Sequence, residues 1–450
     1  MGGNDESSCG IRGLFRKILH SPLFWVLVIC LGVQIIYFSQ MLPYEVCGDT
    51  SSYTYEYDPG FRTPFYPMFA NMVRIFTGSE EGVWLTTMAI VQKVIMFASI
   101  FLFWALICKI TNNKYARFFA TLIYGATPAI FSWAACILTE AFSIVEIIAL
   151  MYFTVKYLRE HKKVDAFLSG IMILVLIMTR PAAVYLLAVY AVFWGLQLFV
   201  AIRGKVSRKR FFAVRVGVVG FVVAVCGVFG YCLYQKVAYD RFSLSSVSYV
   251  NDLLNVIDTG IYQRSSNEEI RDYISQSEKE TSDIYRIIWQ GLMKKYSRDE
   301  LEQFSGEIIH ENRLQYIKDL FMKTIEWSIK PIGTAYNSFR EGYDFNLKQF
   351  AGLFFPVSFG LIFVFIMVGC VWFVVRVISK KRLDWGLLIS VMLVGGNVAV
   401  TIIAAPYEPE RLCVTSLPVL IVGVTYAFEI SAKNGGGRRL ESSISDKQKL

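Results

Sequence analysis

Residues 356–375 read PVSFGLIFVFIMVGCVWFVV, a run that contains no charged side chain. Roughly 20 apolar residues, at a rise of about 1.5 Å each, cross the hydrocarbon core of a bilayer as an α-helix. Lipid offers no partner to backbone N–H and C=O groups, so an isolated apolar run satisfies them within its own helix. This stretch therefore predicts a membrane-spanning helix, which we place at residues 351–376.

Apolar runs of the same kind recur along the chain and predict about ten transmembrane helices. Hydrophobic residues make up 55% of the sequence and charged residues only 18%, a balance that soluble domains do not show. The first span lacks a small-residue cleavage site, so we interpret it as an anchor and not as a removed signal peptide. The predicted fold is an all-α integral membrane protein. Its other spans are residues 23–39, 83–109, 118–135, 138–158, 166–179, 182–202, 211–233, 384–404 and 412–430.

The basic residues lie on one side of this predicted topology. Clusters such as residues 208–210 and 380–382 fall in alternate loops, which we assign to the cytoplasm because cytoplasmic loops are enriched in Lys and Arg. Both termini are then cytoplasmic, in a multi-pass protein of the plasma membrane. The net charge of +9 follows from this topology, and we expect no nucleic-acid partner. The short outer loops hold little beyond Arg62, Arg74, Arg180 and Arg411.

The predicted loops divide the chain into four parts. A transmembrane module occupies residues 1–234 and includes the first outer loop, residues 40–82. Residues 235–350 form an extracytoplasmic segment in which acidic and basic residues interleave at helical spacing, a pattern typical of a solvated helical surface. Further transmembrane helices occupy residues 351–430, and a cytoplasmic tail occupies residues 431–450.

The nine cysteines are scattered, and no CxxC or metal-ligand spacing joins them. Most lie in predicted spans, where cysteine behaves as a small apolar residue. Cys47, Cys136 and Cys413 lie near the outer face, where they can pair.

The first outer loop reads CGDTSSYTYEYDPGFRTPFYPMFANMVRIFTG over residues 47–78. Asp49 precedes a short polar stretch and can cap a helix there. After the turn at Pro59-Gly60, apolar residues recur at helical spacing and favour a juxtamembrane helix in the interface. That apolar stripe consists of Phe61, Phe65, Phe69, Val73 and Phe76.

These motifs resemble the GT-C superfamily of polyprenyl-phosphate-sugar glycosyltransferases, which includes protein O-mannosyltransferases and the lipid A aminoarabinose transferase. Its members carry an acidic residue soon after the first span, then juxtamembrane helices and a motif close to R-x-P-x-Y-P. The resemblance covers roughly the first 200 residues and the last outer loop. The matching residues are Gly48-Asp49, Tyr53, Arg62-Thr63-Pro64-Phe65-Tyr66-Pro67, Thr139-Glu140, Arg180-Pro181 and Glu410-Arg411-Leu412.

The resemblance implies an inverting glycosyltransferase that moves a hexose or pentose from a polyprenyl-phosphate donor to an extracytoplasmic acceptor. Asp49 would be the general base toward the acceptor hydroxyl. The leaving phosphate needs positive charge, for which the planar guanidinium of arginine is suited. The implied substrate-binding residues are Arg62, Arg180 and Arg411 for the phosphate, and Tyr66 or Glu140 for sugar hydroxyls.

Many members carry two adjacent acids in the first loop, whereas here Asp49 is followed by Thr50. A single acid weakens the case for a divalent metal, which favours several oxygen ligands. We therefore expect no metal and no other cofactor. Glu45, Glu56 and Asp58 are the nearby acids that could substitute.

Two charges, Lys93 and Glu146, lie inside predicted spans, where an unpaired charge is costly. Both fall at similar depths below the outer face. The sequence leaves two interpretations open. Either the two residues form a structural ion pair, or Lys93 faces a cavity near the lipid phosphate and binds the donor.

Other functions stay open at this point. A transporter or flippase of a polyprenyl-linked glycan also needs many spans and a few buried charges, although no inverted repeats are visible. A glycan polymerase or ligase would use related lipid donors, and a membrane scaffold would need no chemistry. An intramembrane acyltransferase is disfavoured because His20 and His161 are cytoplasmic in this topology. The expected partners are the bilayer, a polyprenyl-phosphate-linked sugar, and an acceptor that is a protein, a lipid or a cell-wall polymer.

Overall fold

The computed structural model describes residues 19–204, 206–329, 344–379, 383–404 and 409–447. Within these ranges the chain is almost entirely helical and contains no β-strand beyond an isolated parallel bridge between Glu45 and Cys136. The predicted all-α fold is confirmed.

The longer helices are numbered here in chain order. They are α1 (Pro22–Ser39), α2 (Phe65–Thr77), α3 (Glu81–Ile110), α4 (Lys114–Ala126), α5 (Glu140–Glu160), α6 (Lys163–Thr179), α7 (Tyr185–Arg203), α8 (Arg208–Tyr239), α9 (Val247–Asp258), α10 (Glu268–Glu280), α11 (Arg298–Glu311), α12 (Arg313–Ile329), α13 (Asp344–Ile378), α14 (Trp385–Ala404) and α15 (Ser416–Lys447). Short α-helical or 3₁₀ turns lie at Thr50–Tyr53, Pro128–Phe131, Ser132–Ala134, Pro181–Val184, Ile261–Arg264, Ile284–Arg286, Met293–Lys295, Pro409–Leu412 and Cys413–Thr415, with a π-helical turn at Ile287–Leu292.

Eight segments of the described chain are long and apolar enough to cross a membrane. The protein is therefore a multi-pass membrane protein. The eight segments are Pro22–Ser39, Glu81–Ile110, Glu140–Glu160, Pro181–Arg203, Arg208–Tyr239, Pro356–Ile378, Trp385–Ala404 and Cys413–Ala432.

Two of the ten predicted spans are shorter helices. In place of a span over residues 118–135, α4 ends at Ala126, because Thr127 is extended ahead of Pro128 and proline disfavours a helical residue before it. Helix α6 has 17 residues, a length of about 25 Å, which is less than the roughly 30 Å of a typical hydrocarbon core.

Helix α6 is held against α8 at a close crossing of two glycines. A Cβ at Gly170 would lie 2.2 Å from the carbonyl carbon of Gly220, and a Cβ at Gly220 would lie 2.8 Å from the carbonyl oxygen of Phe167. Small residues at a crossing let helix backbones approach closely, which is a common mode of packing in lipid. The crossing fixes α6 and thereby places Arg180, which follows it directly.

Residues 247–329 form a second compact unit, which we call the outer module after its predicted side of the membrane. Its own apolar core includes Leu253, Ile288 and Phe304. The Trp289 ring packs edge-on against Phe61 of the first outer loop, with ring centroids 6.3 Å apart. The module therefore adjoins the loop that carries Asp49.

Helix α2 exposes an apolar face that differs from the predicted stripe. Val73 is buried, and Phe69 packs against Phe142 with ring centroids 4.6 Å apart. An exposed apolar face on a short helix is typical of a helix in a membrane interface. The exposed face consists of Phe65, Met68, Met72, Ile75 and Phe76.

Candidate active site

Five charged side chains from distant parts of the sequence meet at one end of the transmembrane bundle, and we call them the ion cluster. Three of them lie at the starts of spans, and their ion pairs show that these starts share one membrane face. Asp49 precedes the turn Thr50–Tyr53, Arg62 lies in the following loop, Glu140 begins α5, Arg180 follows α6, and Arg411 lies in the turn Pro409–Leu412.

Hydrogen bonds of Thr50 hold the Asp49 turn in place. The Thr50 hydroxyl accepts from the Cys47 N–H at 2.9 Å and donates to the carbonyl of Ile137 at 3.2 Å. Asp49 stands at the N-terminal end of the turn, yet its side chain makes no capping hydrogen bond. Its carboxylate is directed instead to the arginines of the ion cluster.

The ion cluster is a continuous chain of contacts. Arg62 Nη2 lies 2.7 Å from Asp49 Oδ1, and Arg411 Nη2 lies 2.7 Å from Asp49 Oδ2. Arg411 also donates from Nε to Glu140 Oε1 at 2.6 Å. Arg180 Nη2 lies 3.5 Å from the same Glu140 oxygen and donates to the carbonyl of Arg411 at 3.2 Å.

Charge and burial make this cluster a candidate anion site. Three arginines against two ionised carboxylates leave a net charge of +1. Glu140 is fully buried, whereas the Asp49 side chain retains 34% exposure. Burial alone would raise the pKa of Asp49, but the charges and hydrogen bonds of Arg411 and Arg62 outweigh it and hold that pKa well below its usual range. Asp49 is therefore ionised at neutral pH.

All three guanidinium nitrogens of Arg62 are used in contacts with Asp49 and its neighbours. Its Nε donates to Ser52 Oγ at 2.9 Å, its Nη1 donates to the Tyr53 hydroxyl at 3.1 Å, and its guanidinium lies 4.4 Å from the Tyr53 ring centroid. With Asp49 on Nη2, each of its three nitrogens has a partner. This arrangement favours a positioning role for Arg62 over the predicted phosphate contact.

Arg180 has hydrogen-bonding capacity to spare. Among the described residues, nothing accepts from its buried Nη1, and the buried Glu140 Oε2 likewise has no partner. Unsatisfied buried polar atoms are uncommon in folded proteins and call for a ligand, an ion or a water. Guanidinium groups bind phosphate with parallel hydrogen bonds. Arg180 is therefore the side chain of the cluster best placed to take an added anion.

Tyr66 packs beneath the site. Its hydroxyl donates to Gln92 Oε1 at 2.7 Å, its ring lies edge-on to Tyr53, and only 1% of it is exposed. The structure therefore does not present the Tyr66 hydroxyl to a sugar. Sequence reasoning misses Gln92, which also donates to the carbonyl of Cys136 at 2.7 Å. The available signal was a glutamine within a span, where polar side chains require partners.

The predicted pairing of Lys93 with Glu146 is wrong. Lys93 Nζ donates to the carbonyl of Pro43 at 2.9 Å and lies 4.9 Å from the Phe38 ring centroid. Glu146 Oε1 accepts instead from the Thr179 hydroxyl at 2.7 Å. Lys93 thus supports the base of the first outer loop, and among the described residues no hydrogen bond or ion pair joins it to the ion cluster.

The donor set at Asp49 suits an anion better than a cation. Both carboxylate oxygens already bond arginines, whereas a divalent metal favours several free oxygen ligands. In the part of the chain that the structure describes, no three His, Cys, Asp or Glu side chains gather as metal ligands. Independence from metal stays a prediction.

A cavity of about 280 Å³ adjoins the same loop but not the ion cluster. None of the five charged residues lines it. Its walls are formed by Thr54, Tyr55, Tyr57, Pro67, Met68, Ala70, Asn71, Arg74 and Trp84.

No protein-family model and no curated protein matches this chain. Solved structures of oligosaccharyltransferases from Archaeoglobus fulgidus resemble it weakly. One, tethered to an acceptor peptide containing the NVT sequon, gives a TM-score of 0.48 and 16% identity over 96% of this chain. A complex with an inhibitory peptide and a dolichol-phosphate gives 0.44 and 14% over 93%, and an apo form gives 0.45 and 13% over 94%. This chain spans about half the length of those proteins, 52% in each case.

Proposed function

We propose that this protein is a membrane glycosyltransferase. It would move a hexose or pentose from a polyprenyl-phosphate donor to the hydroxyl of an extracytoplasmic acceptor, with inversion at the anomeric carbon. The observation that carries the proposal is the ion cluster, in which a partly exposed carboxylate and an arginine with a spare donor are held at one end of the bundle. A lipid-linked donor brings its phosphate to such an end because its chain stays in the hydrocarbon.

The donor phosphate would bind Arg180 and Arg411. The spare Arg180 Nη1 and the net charge of +1 both favour an anion at this point. Glu140, which accepts from Arg411 Nε at 2.6 Å, would keep that guanidinium oriented. Arg62 would serve Asp49 and not the phosphate.

Donor binding would also prepare the base. A carboxylate with a depressed pKa is a poor proton acceptor, and Asp49 is in that state while two arginines hold it. A phosphate at Arg411 would compete with Asp49 Oδ2 for the same guanidinium. Loss of that ion pair would raise the pKa of Asp49 toward its ordinary value.

The transfer would then be a single displacement. Asp49 takes the proton of the acceptor hydroxyl as its oxygen attacks the anomeric carbon. The bond from that carbon to the phosphate oxygen breaks, and its electron pair leaves with the polyprenyl phosphate. The arginines balance the charge that develops on the phosphate, so the leaving group needs no acid.

Asp49→Asn tests the proposal most directly. We would compare surface glycans by mass spectrometry in a deletion strain that carries wild-type protein, Asp49→Asn or the control Glu80→Gln. Glu80 is an exposed acid of the same loop. Loss of a general base lowers rates roughly 100- to 10,000-fold, so Asp49→Asn should lose one defined sugar at normal protein levels. Full restoration of the glycan by Asp49→Asn would overturn the proposal and favour a transporter.

Arg180→Ala tests the phosphate site. Hydrogen bonds to charged groups contribute about 1.5–3 kcal/mol, so donor affinity should fall roughly 10- to 100-fold. The measurement is binding of a polyprenyl-phosphate sugar to purified protein in nanodiscs. Arg286→Ala, which removes an exposed arginine of the outer module, is the control. Equal donor affinity in Arg180→Ala and wild type would exclude this site for the phosphate.

A further inference from the structure

Two cysteines meet beside the ion cluster. Cys47 lies on the first outer loop just before Asp49, and Cys136 lies just before α5, which begins at Glu140. Their thiols lie within hydrogen-bonding reach of each other. Cys136 is buried and Cys47 is partly exposed, so a reagent can approach the pair from the side of Cys47.

Backbone hydrogen bonds already align the two segments that carry these cysteines. The Glu45 N–H donates to the carbonyl of Ala135 at 2.9 Å, and the Ile137 N–H donates to the carbonyl of Glu45 at 3.1 Å. This parallel bridge sets Glu45 opposite Cys136. Cys47 follows Glu45 by two residues, so the bridge holds its backbone near Cys136. A disulfide needs such proximity, because cysteines with distant Cα atoms cannot join without backbone movement.

We propose that Cys47 and Cys136 form a disulfide that joins the Asp49 loop to the start of α5. The inference rests on the proposed extracytoplasmic side of the ion cluster, because disulfides persist in oxidising compartments and are rare in the cytosol. The bond would hold the segments of Asp49 and Glu140, the two carboxylates of the cluster, at a set spacing. Both cysteines are therefore positioning residues.

An external disulfide, either a small molecule or an oxidoreductase, would supply the oxidising equivalents. The Cys47 thiolate attacks one of its sulfurs, which gives a mixed disulfide and releases one thiol. The Cys136 thiolate then attacks the Cys47 sulfur and releases the second thiol. Two cysteine thiols are oxidised, one external disulfide is reduced, and the two released thiols carry the two protons.

The closing step should depend on pH. While both thiols are free, the contact with Cys47 and burial raise the pKa of the Cys136 thiol well above its usual range, and burial persists in the mixed disulfide. Because the thiolate is the attacking species, ring closure should accelerate as the pH rises.

Non-reducing peptide mass spectrometry tests the bond in the full-length protein. Membranes are lysed in N-ethylmaleimide, which caps free thiols, and the protein is digested without reductant. We expect peptides joined through Cys47 and Cys136 in the wild type and in Cys226→Ser, which removes an exposed cysteine of α8, but not in Cys47→Ser. Complete alkylation of both cysteines, before and after incubation with oxidised glutathione, would overturn the inference.

Rate measurements test the positioning role. Reductant should lower the kcat of the wild type several-fold, leave its donor KM unchanged, and have no effect on the Cys47→Ser/Cys136→Ser double variant. An unchanged wild-type kcat would exclude a positioning role.

The failure of the disulfide proposal can be told apart from the failure of the proposed function. Peptides joined through Cys47 and Cys136, in a protein that transfers no sugar, would contradict only the glycosyltransferase proposal. Free thiols in an Asp49-dependent transferase count against the disulfide alone.

Discussion

Asp49 divides its two carboxylate oxygens between Arg62 and Arg411, each at 2.7 Å. The pKa of Asp49 lies well below its usual range, so these ion pairs stabilise the fold fully above the unfolded pKa of about 3.9. Their contribution is lost as the pH falls through the lower folded value. The carboxyl group is therefore ionised across the physiological range. In the proposed mechanism it would become a useful base only when donor binding takes one arginine from it.

A pH–rate profile checks this state of Asp49. The pH dependence of kcat/KM for the donor reports the ionisation of groups in the free protein. Because Asp49 stays ionised there, kcat/KM should not fall as the pH is lowered to about 4. Arg411→Gln removes one stabilising charge and should make kcat/KM fall at a higher pH, whereas the control Arg286→Gln should not. In the wild type, kcat should begin to fall at a higher pH than kcat/KM does, because donor binding would raise the pKa of Asp49. Superimposable profiles of wild type and Arg411→Gln would contradict the assignment.

At the scale of elements, α6 is short for a span and depends on α8 for its position. A side chain at Gly170 would meet the Gly220 backbone at 2.2 Å, so Gly170→Leu should push the helices apart. Overpacking of this kind costs about 1–3 kcal/mol or more. Gly195→Leu in α7 is the matched control, since a Cβ there meets nothing within 4 Å. Thermal unfolding in detergent should give a lower Tm for Gly170→Leu alone, and equal Tm values would refute the close crossing.

The whole molecule has two chemically different ends, the ion cluster with the outer module and the opposite end with the basic loops. The proposed reaction requires the first end to be extracytoplasmic. A membrane-impermeant maleimide on intact cells should label Lys279→Cys in α10 and label Lys114→Cys at the start of α4 only after lysis. Both positions are exposed, and wild-type cells give the background of native cysteines. The reverse pattern would place the cluster in the cytoplasm and exclude an extracytoplasmic acceptor.

The sequence by itself determined the membrane architecture. A bilayer requires each span to satisfy its own backbone hydrogen bonds, so a span is a property of one local stretch and can be recognised there. Eight of the predicted spans meet the length for crossing, whereas the span predicted over residues 118–135 ran through Pro128, before which the helix ends. Asp49, Glu140, Arg180 and Arg411 stood out as charges beside spans, although nothing local joined them.

Only the tertiary structure decided which of these charges meet. Arg411 reaches Asp49 across 362 positions of the chain, and no pattern along the sequence records that contact. The packing also determines that Arg62 binds Asp49 and that the Tyr66 hydroxyl donates to the buried Gln92. It places Lys93 against the Pro43 carbonyl and not against Glu146. The physical reason is that ion pairs and side-chain hydrogen bonds depend on which helix faces touch. Those faces are chosen by the fit of whole helices, as where Gly170 lets α6 close onto α8.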